Sequence, residues 1–496
     1  MNGKQFFVGI FRFVFIALWI STLMPLPAAR AKSPALGLQL APCTQGRSRT
    51  PAECGTFGVY EDRMARSGRV ILLRVVVLKA KHATHNAIAL IAGGPGQSAV
   101  FFAPLIADGV FAKPLSVLRD HYDILFVDNR GMGGSHPFAC DFVPPGDPKS
   151  YFRQLWPDKI VSACHAKNMA TSNLNLYNTN NAIDDLDDVR AALDYPKLVL
   201  NGGSYGTFFS MVYIRRHPTR VASAILDGVA APHFVPLPGS PDGAQTALND
   251  LIAKCGRNTV CNAHFPAFGQ HFNALMLRFD RGPVAVRVKN AATGWLETVP
   301  LWKEVFVDRL RQALYDPQNA ASIPYVVERA YHADYVPLGE LVNGMSVALG
   351  HALDWGAFLS YTCSDEMPFI SKDEIRQAAT SSFAGDVRFR AQQHACSIWN
   401  VRPMPLSFND PVRSNLPILM ITGSDDPTTP PRSAAEALPS LPNAKQVLVR
   451  GAGHTTETPC IDRLIVQFVR ARSGKQLNVS RCSAAFTLPP FATSDN

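Results

Sequence analysis

Residues Leu200–Phe208 read Leu-Asn-Gly-Gly-Ser-Tyr-Gly-Thr-Phe, LNGGSYGTF, and close the apolar run Lys197–Leu200. One serine among three glycines fits a slack surface turn. It equally fits a nucleophile held on a sharp strand-to-helix turn, because Gly202-Gly203-Ser204-Tyr205-Gly206 matches G-x-S-x-G. The flanks favour the second reading. An apolar strand precedes the motif, and an amphipathic helix pattern, Tyr205–Arg216, follows it and stops before Pro218. The glycines are then required because side chains beside a strained serine would clash with the adjoining strand and helix. The helix N-terminus would aim its free N–H groups at the reacting centre.

A serine hydroxyl needs a histidine base, and the histidine needs a carboxylate to orient it. After this kind of turn the chain order is serine, acid, histidine. His454 follows the strand pattern Gln446–Val449, and Asp425 and Asp426 follow Pro417–Ile421. Asp426 is the chosen acid, since Pro427 and Pro430 would stiffen its loop, which leaves Asp425 as a turn or capping residue. Gly93-Gly94-Pro95-Gly96 follows the strand Ala87–Ile91. Its Gly94 amide and the Tyr205 amide are the expected donors to an oxyanion.

Further apolar runs end in glycine- or aspartate-rich loops: Asp123–Val127 before DNRGMGGS and Ala222–Leu226 before DGVAAP. Arg69–Lys79 is another apolar run without such a loop. Strands of this kind, alternating with helices such as Ala182–Leu193, predict an α/β fold with a mostly parallel, doubly wound sheet. Ligands sit at the carboxyl ends of such strands, where these loops fall. The alternation stops at 232–411, which reads as a helical cap with one hairpin, Val284–Val299. Its helical patterns are Ala244–Lys254, Phe268–Phe279, Leu301–Leu314 and Ala320–Tyr331. The expected layout is a signal peptide at 1–31, core at 32–231, cap at 232–411 and core again at 412–496. Asp128 and Arg130 read as loop-stabilising partners, and Asp184, Asp185, Asp187 and Asp188 as the solvated face of a helix.

Lys4 and Arg12 flank and interrupt the apolar stretch Phe6–Met24, and Ala29-Arg30-Ala31 is a small-x-small cleavage pattern. The protein is therefore expected to be exported to the periplasm or the medium. Part of the formal charge of +9 leaves with that leader, and no basic block of the kind that grips nucleic acid occurs. Ten cysteines suit an oxidising compartment. They fall into sequential neighbours, Cys43/Cys54, Cys140/Cys164, Cys255/Cys261, Cys363/Cys396 and Cys460/Cys482, so local pairing is the simplest arrangement. No metal-ligand spacing is present, and neither a metal nor an organic cofactor is expected.

Taken together, GGPGQSA, VDNRGMGGSHPFAC, DDLDDVRAAL, NGGSYGTFF, AILDGVAAP, TCSDEMP, GSDDPTTP and GAGH resemble, in content and order, the secreted tripeptidyl aminopeptidases and proline iminopeptidases. These are α/β-hydrolase-fold serine peptidases. The resemblance covers nearly all of the chain after the leader. It implies Ser204, Asp426 and His454 as a triad and supports Asp426 over Asp425. Ala92 is a departure, standing where many relatives carry histidine. The resemblance also implies that a substrate's free amino group is held by acids in the Cys363-Ser364-Asp365-Glu366 segment, Glu366 first and Asp365 second. The expected partner is a peptide with a free N-terminus, with no nucleic acid and no stable membrane insertion after leader cleavage. Two alternatives stay open: an esterase or lipase-like acyl hydrolase using the same triad, and a non-catalytic binding protein on this fold.

Overall fold

The computed structural model describes residues 35–494, except 83, 145, 234–240, 291–292, 475–476 and 485. The expected leader at 1–31 lies outside the described residues. Among the described residues, eleven strands follow in chain order: β1 Gly37–Gln45, β2 Thr50–Tyr60, β3 Val70–Leu78, β4 Ala87–Ile91, β5 Asp123–Val127, β6 Leu198–Gly203, β7 Val221–Asp227, β8 Val284–Lys289, β9 Leu296–Leu301, β10 Ile418–Gly423 and β11 Ala444–Val449. Nine of them form one sheet in the order β1-β2-β3-β5-β4-β6-β7-β10-β11. The pairs β1/β2, β2/β3 and β3/β5 are antiparallel. Every pair from β5 to β11 is parallel.

The central strands are apolar throughout because both of their faces are covered. All of β4, β5 and β10 is buried. In β4, Ala87, Ala89 and Ile91 enter one core, beside the helices Thr179–Ala192 and Tyr205–Arg216. Ile88 and Leu90 enter the opposite one, packed with Ile461, Leu464 and Phe468 of the helix Pro459–Ala471. The strands β1 and β2 have no counterpart among the expected elements.

The inserted segment has its own apolar core. Helices Pro241–Arg257, Phe268–Phe279, Lys303–Ala313, Ile323–Tyr331 and Val336–Ala352 close around the antiparallel hairpin β8/β9. Phe279 stacks on Phe306 with ring centroids 4.8 Å apart. The following helix, Trp355–Asp365, packs instead into the main core through Phe358, Leu359 and Tyr361. This brings the far end of the insertion down onto the sheet. The five disulfides join the sequential neighbours, Cys43–Cys54, Cys140–Cys164, Cys255–Cys261, Cys363–Cys396 and Cys460–Cys482. Among the described residues no helix is long and apolar enough to cross a membrane.

The acids of the helix Thr179–Ala192 do not form the expected solvated face. Asp185 is buried, not solvated. Its carboxylate takes both Nε and Nη2 of Arg130, at 2.7 and 2.8 Å, and Nη1 of Arg63 at 2.7 Å. Asp187 pairs with Arg190 at 2.6 Å, Asp184 with Arg216 at 2.6 Å, and Asp188 with Arg63 at 2.7 Å. The guanidinium of Arg130 is wholly buried and also donates to the carbonyls of Glu61 and Leu176, which locks the DNRG loop. Removing one partner of a buried pair leaves an uncompensated charge. Asp185→Ala is therefore expected to lower stability by about 3–5 kcal/mol in urea unfolding. A loss below about 1 kcal/mol, the value of a surface pair, would contradict that role.

Candidate active site

Ser204 sits between β6 and the helix Tyr205–Arg216 with φ 55° and ψ −124°, a conformation costly for a residue with a side chain. The surroundings hold it there. Its amide donates to the Asp227 carbonyl at 2.9 Å, and its own carbonyl accepts from the Thr207 amide and hydroxyl at 2.8 and 2.6 Å. Two of the motif's glycines are steric requirements. A Cβ on Gly202 would lie 2.3 Å from the Gly206 carbonyl oxygen, and one on Gly206 would lie 2.2 Å from that of Ile91. Gly203 is different, because nothing lies within 4 Å of the Cβ it lacks.

Asp426, after β10, is buried and held by four donors. Its Oδ1 accepts the amides of Thr428 and Thr429, each at 2.8 Å. Its Oδ2 accepts the Thr429 hydroxyl at 2.7 Å and faces His454 Nδ1 at 2.8 Å. Burial disfavours the carboxylate, but His454, the Thr429 hydroxyl and the loop amides outweigh it and hold Asp426 below the usual carboxylate range. Asp425 points its chemistry elsewhere, to Lys254 and to the Ser424 hydroxyl.

His454 lies in the loop after β11. Burial favours its neutral ring, yet Asp426, Tyr315 and Asp227 together push it up to about 9. Ser204 Oγ has no hydrogen-bond partner among the described residues, and it lines the same cavity of about 740 Å³ as His454. The GGPG turn reaches this cavity too. Gly94 has φ 106°, and a Cβ on Gly93 would lie 3.3 Å from Cβ of Ser204. The Gly93 amide is occupied by Gln97 Oε1 at 3.0 Å. The Gly94 and Tyr205 amides have no acceptor among the described residues. The turn is clamped from above, since the Asp354 amide donates to the Gly96 carbonyl at 2.9 Å. Below it, Asp128 accepts from Ser98, Val100 and Gly134 at 2.7, 2.9 and 2.8 Å, in keeping with the loop-stabilising part expected of it.

The acids expected to meet an amino group stand differently. Asp365 is consumed: its Oδ2 takes the Thr179 amide and hydroxyl at 2.8 and 2.5 Å, and its Oδ1 the Ser364 hydroxyl at 2.5 Å. It is a structural anchor for the helix Thr179–Ala192. Glu366 is 2% exposed, and neither of its carboxyl oxygens has a partner. Burial and then the Asp365 charge push it well above the usual range, with Arg388 opposing. Neither acid lines the cavity, although Trp355 and Phe358 of the same helix do.

Several residues around the triad carry no signal in the sequence. Tyr315, just past the helix Lys303–Ala313, accepts the His454 amide at 2.7 Å through its carbonyl. Its ring lies 4.9 Å from the imidazole. The Tyr315 hydroxyl bonds Arg311 at 2.5 Å and Thr428 at 2.6 Å. Asp227, at the end of β7, accepts the Thr456 hydroxyl through both oxygens, at 2.9 and 2.7 Å. Burial pushes this carboxyl up to about 7. At Gly228, φ is 68° and a Cβ would lie 2.9 Å from His454 Cε1, so the glycine keeps the imidazole's place clear.

A base must be unprotonated to act. His454 titrating near 9 predicts that kcat/KM on an activated ester rises about tenfold per pH unit through neutrality and levels off near that value. A pH–rate profile that levels off near 6.5, the ordinary imidazole value, would show that the Asp426 contact does not govern the base. Among the described residues no group of three or more His, Cys, Asp or Glu side chains is placed to hold a metal ion.

Residues 86–456 match the family described as alpha/beta hydrolase fold. The chain is 24% identical over 493 residues to serine protease Hip1 of Mycobacterium tuberculosis (strain ATCC 25618 / H37Rv), covering 89% of this chain and 90% of that one. It is 26% identical over 464 residues to carboxylesterase B of the same strain, covering 84% of each. It is 30% identical over 200 residues to tripeptidyl aminopeptidase of Streptomyces lividans, covering 37% of this chain and 36% of that one.

Proposed function

The chain belongs to the α/β-hydrolase family, and we propose that within it the protein is an exported serine aminopeptidase, releasing short peptides or single residues from a free N-terminus. The observation that carries the serine-hydrolase part of this reading is the His454–Asp426 contact of 2.8 Å, with His454 lining the same cavity as a serine at positive φ. In the reaction, Ser204 Oγ attacks the scissile carbonyl carbon and passes its proton to His454 Nε2. The oxyanion takes the Tyr205 and Gly94 amides. His454 then protonates the leaving amine, the C–N bond breaks, and an acyl-enzyme remains. Water, deprotonated by His454, releases the acyl product and restores Ser204. Asp426 fixes the imidazole tautomer and stabilises its charged form throughout.

Three observations support the finer reading. Motifs resembling those of tripeptidyl aminopeptidases run in order from Gly93 to His454, and one enzyme of that name is 30% identical over 200 residues, 37% of this chain. The Glu366 carboxyl has no protein partner to compete with a substrate ammonium, although it lies outside the lining of the cavity that holds Ser204. Asp365 is withdrawn from that role, since Thr179 and Ser364 occupy it. The leader pattern and five disulfides support export. An esterase reading is favoured by the relative named carboxylesterase B. A panel of aminoacyl, dipeptidyl and tripeptidyl chromogenic amides, each with a free and a blocked N-terminus, separates the two. Loss of turnover on blocking supports the aminopeptidase. Equal rates on free and blocked pairs overturn it in favour of the esterase.

A further inference from the structure

A second charged cluster borders the cavity. Asp308, Arg309 and Arg311 lie on the helix Lys303–Ala313, and Arg388 on the helix Val387–Trp399. One carboxylate serves all three guanidiniums. Asp308 receives Arg388 Nη1 at 2.8 Å and Arg311 Nη2 at 3.3 Å, and it also pairs with Arg309 Nη1. Arg309 is turned away from the cavity and donates to Ser346 at 2.8 Å. Arg311 and Arg388 both line the cavity that holds Ser204 and His454. Arg388 lies over the Trp156 ring, 5.2 Å from its centroid.

The cluster therefore carries an excess of buried positive charge, which costs free energy unless an anion offsets it. Glu366 bonds none of these guanidiniums, since both of its oxygens are without a partner, and burial pushes its carboxyl towards the neutral form despite the Arg388 charge. The acids that do line the cavity are placed elsewhere: Asp227 bonds Thr456, Asp316 accepts the Gln318 amide at 2.7 Å, and Glu457 and Asp462 lie within the influence of Lys113. Three donors on cavity-lining residues, Arg311 Nε, Arg388 Nε and Trp355 Nε1, are buried with no acceptor. Arg311 is 5% and Trp355 6% exposed. Buried donors of this kind are normally satisfied, and Arg311 and Arg388 bring their surplus positive charge to the wall of the cavity, which suits an anionic guest.

We propose that Arg388, with Arg311 and Trp355, forms a subsite for a carboxylate on the acyl side of the substrate, making the enzyme selective for acidic acyl groups. The acyl side follows from Trp355, which opens the helix that ends beside Glu366, while Leu353 just before it packs on Gly94 of the oxyanion turn. The proposal rests on Ser204 as the acylated residue, and it holds for a peptide or an ester alike.

The test uses 4-nitrophenyl monoesters of succinic, glutaric and adipic acids against the corresponding neutral amide-ended esters. At least one anionic ester is expected to be favoured by about tenfold or more in kcat/KM, the worth of a charge-assisted hydrogen bond. In Arg388→Gln that ratio falls towards one, and Arg388→Lys restores part of it. The wild-type protein gives a check free of any folding defect: glutarate should inhibit the neutral ester at a concentration about tenfold below that of glutaramide. Equal rates for every pair and equal inhibition overturn the subsite. Absence of any ester turnover overturns it together with the serine-hydrolase reading. Blocked and free amides cleaved equally, with the anionic preference intact, would count against the aminopeptidase alone.

Discussion

Replacement of Ser204 by alanine is expected to lower kcat by about six orders of magnitude while the protein remains folded. The magnitude follows from the division of labour. The triad acts as a unit, and losing its nucleophile leaves only the oxyanion donors and substrate binding, worth about 10³–10⁴ over water. The fold should tolerate the change because Ser204 Oγ makes no hydrogen bond among the described residues, whereas the Ser204 backbone is held by Asp227 and Thr207. Alanine keeps those backbone contacts. The measurement is turnover of an activated ester together with thermal unfolding. A residual rate within about tenfold of wild type would place the nucleophile elsewhere.

The second large effect separates two neighbouring acids. Asp426→Asn is expected to lower kcat by about 10⁴, because an amide there can no longer hold the productive imidazole tautomer. The geometry should survive, since the amide oxygen can still accept the Thr428 and Thr429 amides that now meet Oδ1 at 2.8 Å. Asp425→Asn is expected to leave kcat within a few-fold, since its carboxylate serves Lys254 and Ser424 and makes no contact with His454. Asp426→Asn should also lower the titration of His454, because Asp426 is the largest influence raising it. Equal losses in the two variants would mean that the acid's charge, and not its bond to Nδ1, is what matters.

Much of this site was legible in the sequence because strand ends and glycine turns leave local signatures. The motif around Ser204, the turn at Gly94 and the strand-terminal Asp426 and His454 each follow an apolar run. Strands β4 and β5 match their expected limits, since both are apolar throughout and bounded by turn residues. Strands β1 and β2 went unseen for the opposite reason. Strand β1 is an edge strand with no fully buried residue, interrupted by Pro42, and it lacks a clean apolar pattern. Arg311, on a helix of the inserted segment, and Tyr315, just past its end, meet Thr428 and His454 only through the tertiary fold. No local pattern encodes such a contact. Asp184, Asp185, Asp187 and Asp188 misled because four acids on a helix read as a wet face. The compensating Arg63 and Arg130 lie far away in the chain. Gly203 shows the reverse error: one glycine of the motif has open space where a side chain could stand.

Activation of Ser204 by His454 and Asp426 is best tested by mass-spectrometric mapping of the adduct formed with a fluorophosphonate probe. One adduct is expected, on the peptide containing Ser204, absent from Ser204→Ala and formed far more slowly in Asp426→Asn. An unlabelled wild-type protein, or labelling that persists in Ser204→Ala, would contradict it.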